Sequence, residues 1–403
     1  MKYIIVLGDG MSGRALGELG GRTTLEAAMT PAMDALAKEA ELGMASMVPE
    51  GMAPGSDTAN LSVLGYDPKR YYTGRSPLEA MSIGVDLKET DVSFRCNLVT
   101  LSEEEGDYAE RTILDHSADE ISSRDGAILI DALRGELEKD GWRFYAGTSY
   151  RHLLVQEKGR VQELTPPHDI LGRKIGPFLP EDPALRAMME KSYEILSCHP
   201  LNQKRRRDGL HPANAAWFWG AGTKPKLPGF QEKTGKRAVM ISAVDLLKGI
   251  AVCAGMDRIL VEGANGGLHT NYKGKAQAAV QALVRDGYDF AYIHVEAPDE
   301  MGHQGSARDK IRSIEQIDEM VVKTLVRELQ SAGEDYRLLI LPDHPTPVEV
   351  RTHTAEPVPY LLYDSRRKLP GENTYCEKTA AGTGREWKEG FRLIEHLLQE
   401  DLC

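Results

Sequence analysis

Short apolar runs that stop abruptly at a polar residue constrain this chain more than any other feature. Residues 3–7 (YIIVL) run into Gly8 and Asp9, and RILVEG, FAYIHVEA and RLLILPDH repeat the pattern late in the chain. AVMISAVDLLKGIAVCAGM passes from an apolar strand into an amphipathic helix. Such runs suit strands buried on both faces, and their alternation with helical stretches predicts an α/β fold. The expected architecture is a mostly parallel sheet with helices on both faces. TTLEAAMTPAMDALAKEAELG, with Leu and Met at helical spacing, predicts one helix closing at Gly43. From about residue 90 to 180 the pattern changes to shorter strand-like pieces, RCNLVTL and RFYAGTSYRHLLVQ, around one helix, IDALRGELEKDG. This predicts an inserted α+β lid domain, 91–180, over the active edge of a core built from 1–90 and 181–403.

A chain of 403 residues can hold both parts. No stretch reaches the ~18 uninterrupted apolar residues of a membrane span. MKYIIVLGDG is broken too early to be a signal-peptide core and reads as a first strand. The five cysteines (Cys96, Cys198, Cys253, Cys376 and Cys403) are scattered and never in CxxC spacing. A disulfide framework or thiolate zinc site is therefore not expected, and a reducing cytoplasm is. The net charge of -12 argues against nucleic acid as a partner. A small phosphorylated metabolite at a locally basic site remains compatible. Oligomeric state is not legible.

In parallel sheets, ligands collect outside the carboxyl ends of the strands. Asp9, Asp299 and Asp343 all fall just after predicted strands. DEMGH sets Asp299 and His303 one helical turn apart, PDH sets Asp343 beside His344, and RTHT supplies His353. Carboxylate oxygens suit hard divalent cations, and imidazole suits manganese, zinc and iron. These six side chains are enough for two metal ions with open positions. Each motif alone also reads as a surface pair or a turn; their coincidence at strand ends is the signal. In APGSDTANLS, Ser56 follows a Pro-Gly turn at a helix start. Ser56 or Asp57 there reads as a helix N-cap. Alternatively Ser56 is a nucleophile, placed where backbone N–H groups favour a phosphate and activated by a bound cation.

Gly8, Gly10 and Gly13 form the G-x-G-x-x-G of dinucleotide sites. Asp9 between the first two would repel a pyrophosphate, and the glycines are better explained as room beside a metal ligand. Candidate anion-binding groups are Arg75, His116, Arg151 with His152, and Arg205 in the run Arg205–Arg206–Arg207, which also reads as a solvated helix end. Lys273 and Lys275 read as surface helix residues.

The residues together resemble the cofactor-independent phosphoglycerate mutases of the archaeal type, in the alkaline phosphatase superfamily. The resemblance covers essentially the whole chain. Its motifs are LGDGM, PGSDTANLSVLGYDP, DHSADEIS, SYRHLL, HPLN, PANAAWFWG, ISAVDLLKGI, NYKGKAQAA, HVEAPDEMGH, PDHPTP and RTHTAEPVP. It implies one cation held by Asp9, Asp343, His344 and Ser56, a second held by Asp299, His303 and His353, and Ser56 as the phosphorylated nucleophile. It implies two divalent cations, with Mn2+ expected first and Mg2+, Co2+ or Zn2+ compatible. Pro342, Pro345 and Arg351 depart from the archaeal GDH-x-TP and the Lys before the HT motif, and Asp119 stands where the family usually has Gly. LPDHPTP with RTHT is similar to a bacterial subgroup proposed as homoserine kinases. Phosphoglycerate and homoserine therefore both stand as acceptors, the mutase reading coming first.

Overall fold

Residues 1–103 and 106–399 are described by a computed structural model, so Cys403 lies outside the described residues. Contacts divide the chain into two compact units, 1–72 with 226–403 and 73–225.

The first unit is built on an eight-stranded sheet. Its strands lie in the order Glu386–Trp387, Glu41–Ala45, Val358–Asp364, Tyr336–Leu341, Lys2–Gly8, Phe290–Val295, Ala238–Ile241 and Asp257–Ile259. The last five run parallel, and Val358–Asp364 is antiparallel to both its neighbours. The three central strands are buried nearly throughout, which is why they read as unbroken apolar runs rather than alternating ones. Ile4 and Val6 join one apolar cluster with helix residues such as Ala276, Ile314 and Leu325, while Tyr3, Ile5 and Leu7 are buried on the other face. Register pairs Leu7 with both His294 and Leu341, and Ile293 with Ile241. The carboxyl ends therefore line up along one rim, and the residues that follow them are brought together.

The segment 23–43 is not one helix. Thr24–Ala27 and Pro31–Ala37 are separate helices, and Glu41–Ala45 is a strand. Pro31 has no N–H to continue the first helix. The open N–H groups of Ala32 and Met33 are taken by Asp318, far along the chain. Gly43 is no helix terminator; it pairs with Tyr360 across the strands, where a Cβ would come within 2.7 Å of that ring.

The second unit is longer than 91–180, taking in 73–90 and 181–225 as well. Its central strand, Val92–Leu101, is wholly buried and pairs antiparallel with Ile113–Asp115, Arg151–Gln156 and Ala215–Thr223, and Trp142–Thr148 pairs with Arg151–Gln156. Ala215–Thr223 ties 181–225 to this sheet, and Thr73 Oγ1 donates to the Thr223 carbonyl at 2.6 Å. Helices Ser123–Leu137 and Pro183–Ser197 complete a separate apolar core around Leu129, Leu133, Met189 and Trp217. Among the described residues no helix is long and apolar enough to cross a membrane.

Two lysines of the first unit are fully buried. Lys275 is not the surface residue its helix pattern suggests: its Nζ donates to the His294 carbonyl at 2.8 Å, whereas Lys273 is exposed. Lys310 Nζ donates to the carbonyls of Ser12 (2.9 Å) and Thr346 (2.7 Å), tying two rim loops together. Burial pushes the Lys310 ammonium down to about 8, against the pull of Asp299. Between that value and the ordinary lysine range the unfolded chain holds more protons than the folded one, so this residue's contribution to stability rises with pH. The stability of wild type relative to Lys310→Met, measured by urea unfolding, is expected to grow between about pH 8 and 10, by less than about 1.4 kcal/mol per pH unit. A flat difference across that window would show that the lysine is not desolvated in solution.

Candidate active site

The rim gathers all seven side chains singled out as ligands. Asp9 follows the strand Lys2–Gly8, and its N–H donates to the Val295 carbonyl at 2.9 Å. Gly10, next along, has φ of 60°. A Cβ there would stand 2.5 Å from Thr346 Oγ1 and 2.7 Å from Asp299 Oδ1. The glycine motif therefore serves close approach of a carboxylate, not of a pyrophosphate.

Asp343 is wholly buried, just past the strand Tyr336–Leu341. Its Oδ1 accepts the N–H groups of Gly10 (3.2 Å) and His344 (2.9 Å), and its Oδ2 accepts Asn60 Nδ2 (2.8 Å). Asn60 is itself held by the Tyr292 hydroxyl at 2.5 Å. Asp299 sits in the first turn of the helix Ala297–Gln304, and His303 is four residues on, as the spacing predicts.

Ser56 is the first residue of the helix Ser56–Val63, and Gly55, not a serine or aspartate side chain, occupies the N-cap. Ser56 therefore does not cap the helix. Its Oγ points to His344, 3.2 Å from Nε2. The Asp57 carboxylate accepts from the Thr58 N–H and the Tyr72 hydroxyl.

Two donor sets result. His344 Nε2 stands 3.5 Å from Asp9 Oδ1 and 3.4 Å from Asp343 Oδ2, with Ser56 Oγ beside it. Asp299 lies 3.2 Å from His303 Nε2 and 3.4 Å from His353 Nε2, and those two nitrogens are 2.9 Å apart. The His344 and His353 rings stack 4.0 Å apart and so join the sets; ligand atoms of Asp299, His344 and His353 also fall within 4.8 Å of one another.

The hydrogen bonds fix which nitrogen is free to bind. Thr346 Oγ1 donates to Asp299 at 2.5 Å, so it accepts from His344 Nδ1 at 3.3 Å and leaves Nε2 with its lone pair. His303 Nδ1 donates to the Arg351 carbonyl at 3.0 Å, which aims Nε2 at the Asp299 carboxylate. Arg351 takes a left-handed backbone, φ 57°, to present that carbonyl. Asp9 Oδ1 is buried without a hydrogen-bond partner. Burial, with the charges of Asp343, Asp299 and Glu296, pushes the Asp9 carboxyl well above the usual range. Burial acts on Asp299 in the same sense, but hydrogen bonds from His303 and His353 outweigh it and hold that carboxyl well below the usual range. An orphaned carboxylate oxygen among crowded acids, facing the His344 lone pair, is the donor chemistry of a divalent-cation site. The residues fit the group.

The basic candidates lie in the second unit and divide. Arg75 and Arg95 both pair with Glu79 at 3.0 Å, and Arg95 lies 4.1 Å over the Trp219 ring. His116 meets Tyr150 and His168 edge-on, and Arg151 lies over Tyr150. Burial, together with the charges of Arg75 and Arg151, lowers the pKa of the Arg95 guanidinium, against the pull of Glu79. Arg75, His116 and Arg151 thus share a neighbourhood with Arg95 and His168, which sequence reasoning missed. His152 does not join them as an anion ligand. It is buried, accepts the Gly147 N–H, and burial takes it down to about 3. Arg205 is likewise spent, donating to the carbonyls of His211 and Ala118. Within the triple-arginine run Arg206 pairs with Glu103, and Arg207 is exposed.

Asn60 and Thr346 were also missed, although Asn60 lies one helical turn past Ser56 and Thr346 two residues past His344.

Comparison with known proteins decides the family. Residues 37–202 match the family model of 2,3-bisphosphoglycerate-independent phosphoglycerate mutase. A probable 2,3-bisphosphoglycerate-independent phosphoglycerate mutase of Geobacter sulfurreducens is 47% identical over 99% of this chain and 100% of its own. The chain belongs to the 2,3-bisphosphoglycerate-independent phosphoglycerate mutase family. A member from Methanosarcina acetivorans is also 47% identical, over 95% of this chain and 96% of its own. Among solved structures, a Pyrococcus horikoshii protein matches with a TM-score of 0.82 and 30% identity, covering 100% of this chain and 99% of that one. The cofactor-independent phosphoglycerate mutase of Thermoplasma acidophilum matches with a TM-score of 0.65 and 27% identity over 99% of this chain and 100% of that one.

Gly10→Ala tests the crowding at the rim. The added methyl and the positive φ are expected to cost about 1–3 kcal/mol of stability. By displacing Asp299 and Thr346, the substitution should also weaken cation binding measured by calorimetry. Unchanged unfolding and binding would mean the rim is looser than described.

Proposed function

We propose that the chain interconverts 3-phosphoglycerate and 2-phosphoglycerate by passing the phosphoryl group through Ser56. The observation that carries this reading is the Ser56 hydroxyl at a helix N-terminus, 3.2 Å from His344 Nε2 and beside two carboxylate–imidazole donor sets. Asp9, Asp343 and His344 with Ser56 would hold one divalent cation, and Asp299, His303 and His353 the other. When bound, such cations neutralise phosphoryl oxygens and make the serine alkoxide accessible at neutral pH. Manganese suits the mixed oxygen and imidazole donors, with cobalt, zinc and magnesium as competitors.

Ser56 Oγ forms its bond to phosphorus as the bond from phosphorus to the C3 oxygen of glycerate breaks, and the serine proton passes to that oxygen. The C2 hydroxyl of the same glycerate then takes the group back, its proton returning to Ser56 Oγ and restoring the serine. Backbone N–H groups at the start of the Ser56 helix favour the phosphoryl charge, and Asn60 Nδ2 ties the Ser56 carbonyl to Asp343 so that nucleophile and ligand keep their spacing. Return transfer must outrun hydrolysis, so the phosphoserine has to be kept from water. Arg75, Arg95, Arg151 and His116 have the chemistry to hold a carboxylate or phosphate. A cytoplasmic setting suits a glycolytic acceptor; among the described residues no disulfide joins Cys96, Cys198, Cys253 and Cys376.

Purified protein with Mn2+ is expected to form 2-phosphoglycerate from 3-phosphoglycerate, with no ATP consumed when homoserine and ATP are supplied instead. ATP turnover with homoserine and no 2-phosphoglycerate would replace the mutase reading with a kinase. Ser56→Ala should lower turnover by more than about 10³-fold and abolish the phosphoenzyme trapped by acid quench. Chelation should stop the wild-type reaction and added Mn2+ restore it; activity persisting after exhaustive chelation would remove the cations from the reaction.

A further inference from the structure

His294, held by Ser242, lies behind Asp9 and plays no part in the reaction as set out above. It is wholly buried in the strand Phe290–Val295, in register with Leu7, two residues before Asp9. Its Nε2 lies 2.9 Å from Asp9 Oδ2, and its Nδ1 lies 3.1 Å from Ser242 Oγ. Ser242 follows the strand Ala238–Ile241, and its Oγ accepts the Val244 N–H at 3.0 Å. As a cation ligand Asp9 is a carboxylate, which can only accept, so the ring proton then sits on Nε2. Nδ1 is then an acceptor, and the Ser242 hydroxyl donates to it. The relay runs in one sense, from the Val244 amide through the Ser242 hydroxyl and the imidazole to Oδ2. The other Asp9 oxygen, Oδ1, has no partner and stands 3.5 Å from His344 Nε2.

We infer that His294, with its tautomer set by Ser242, is a positioning residue that fixes the Asp9 carboxylate with Oδ1 presented to a divalent cation. Metal-ligating groups are oriented by hydrogen bonds from a surrounding layer, whose loss typically costs 10–100-fold in metal affinity. Usually a carboxylate orients an imidazole ligand; here an imidazole orients a carboxylate ligand. The strand geometry makes the arrangement rigid. The Asp9 N–H is bonded to Val295, and the His294 carbonyl accepts from the buried Lys275, so the main chain is pinned at both partners.

The inference rests on the proposed reading only in taking Asp9 for a cation ligand. The test reads cation binding, so failure of a mutase assay leaves it intact. Mn2+ binding by calorimetry and the visible spectrum of the Co2+-loaded protein are compared for the full-length wild type, His294→Ala, His294→Gln and Ser242→Ala. His294→Ala should weaken one of two Mn2+ affinities by about 10–100-fold and alter the Co2+ bands. His294→Gln, whose amide can still donate to Oδ2, should recover most of that loss, and Ser242→Ala should fall between. Far-UV circular dichroism checks that each variant is folded. Wild-type affinities and bands in folded His294→Ala overturn the inference, as does a glutamine variant no better than the alanine. If the alanine variant does not fold, weakened binding in Ser242→Ala with near-wild-type binding in His294→Gln supports it, and any other combination overturns it.

Discussion

Three carboxylates, Asp9, Asp299 and Asp343, are crowded at one buried rim, and the rest of the structure is arranged around that repulsion. Oxygens of Asp9 and Asp343 lie within 4.8 Å of each other, where two like charges cost about 3 kcal/mol at an effective dielectric of 20. Burial makes Asp9 in particular reluctant to ionise. The fold answers with imidazoles on the inner side and hydrogen-bond donors on the outer side. Gly10 and Asn60 brace Asp343, Thr346 braces Asp299, and His294 braces Asp9. With the outer lone pairs committed, the inner ones converge. A divalent cation held there would offset the remaining negative charge, which ties the chemistry to the architecture.

The bracing groups come from distant parts of the chain. Asn60 sits on the helix that begins with Ser56, Tyr292 and His294 share one strand, and Thr346 follows the strand Tyr336–Leu341, on the far side of Lys2–Gly8. Because three parallel strands end in register, short side chains suffice to span the distances between their ends. Lys310 adds a tie at backbone level, joining the carbonyls of Ser12 and Thr346. Each loop thus holds a ligand and also holds a neighbour's ligand in place.

Much of this was legible in the sequence because it follows from local rules. Buried parallel strands leave unbroken apolar runs, and Asp and His after them mark the rim. The one-turn spacing of Asp299 and His303 needed only the helix period. What was not legible depended on remote partners. The break at Pro31 is completed by Asp318, some 285 residues away, and Gly43 is a strand residue because Tyr360 lies across from it. Residues 181–225 were assigned to the core because nothing local says that Ala215–Thr223 pairs with Val92–Leu101. Arg205 and His152 carry the right functional groups, yet their surroundings absorb them: carbonyls take the guanidinium, and burial neutralises the ring. Asn60, Thr346 and His294 act on other side chains, so their residue types alone announced nothing.

The two ends of the inserted unit are clasped to each other, with Thr73 Oγ1 on the Thr223 carbonyl and Gly74 so close to Ala221 that a Cβ would stand 2.8 Å from its carbonyl oxygen. A segment whose beginning and end meet at one point behaves as a cassette. It can drift, lengthen or be exchanged between lineages without stretching the sheet from which it springs.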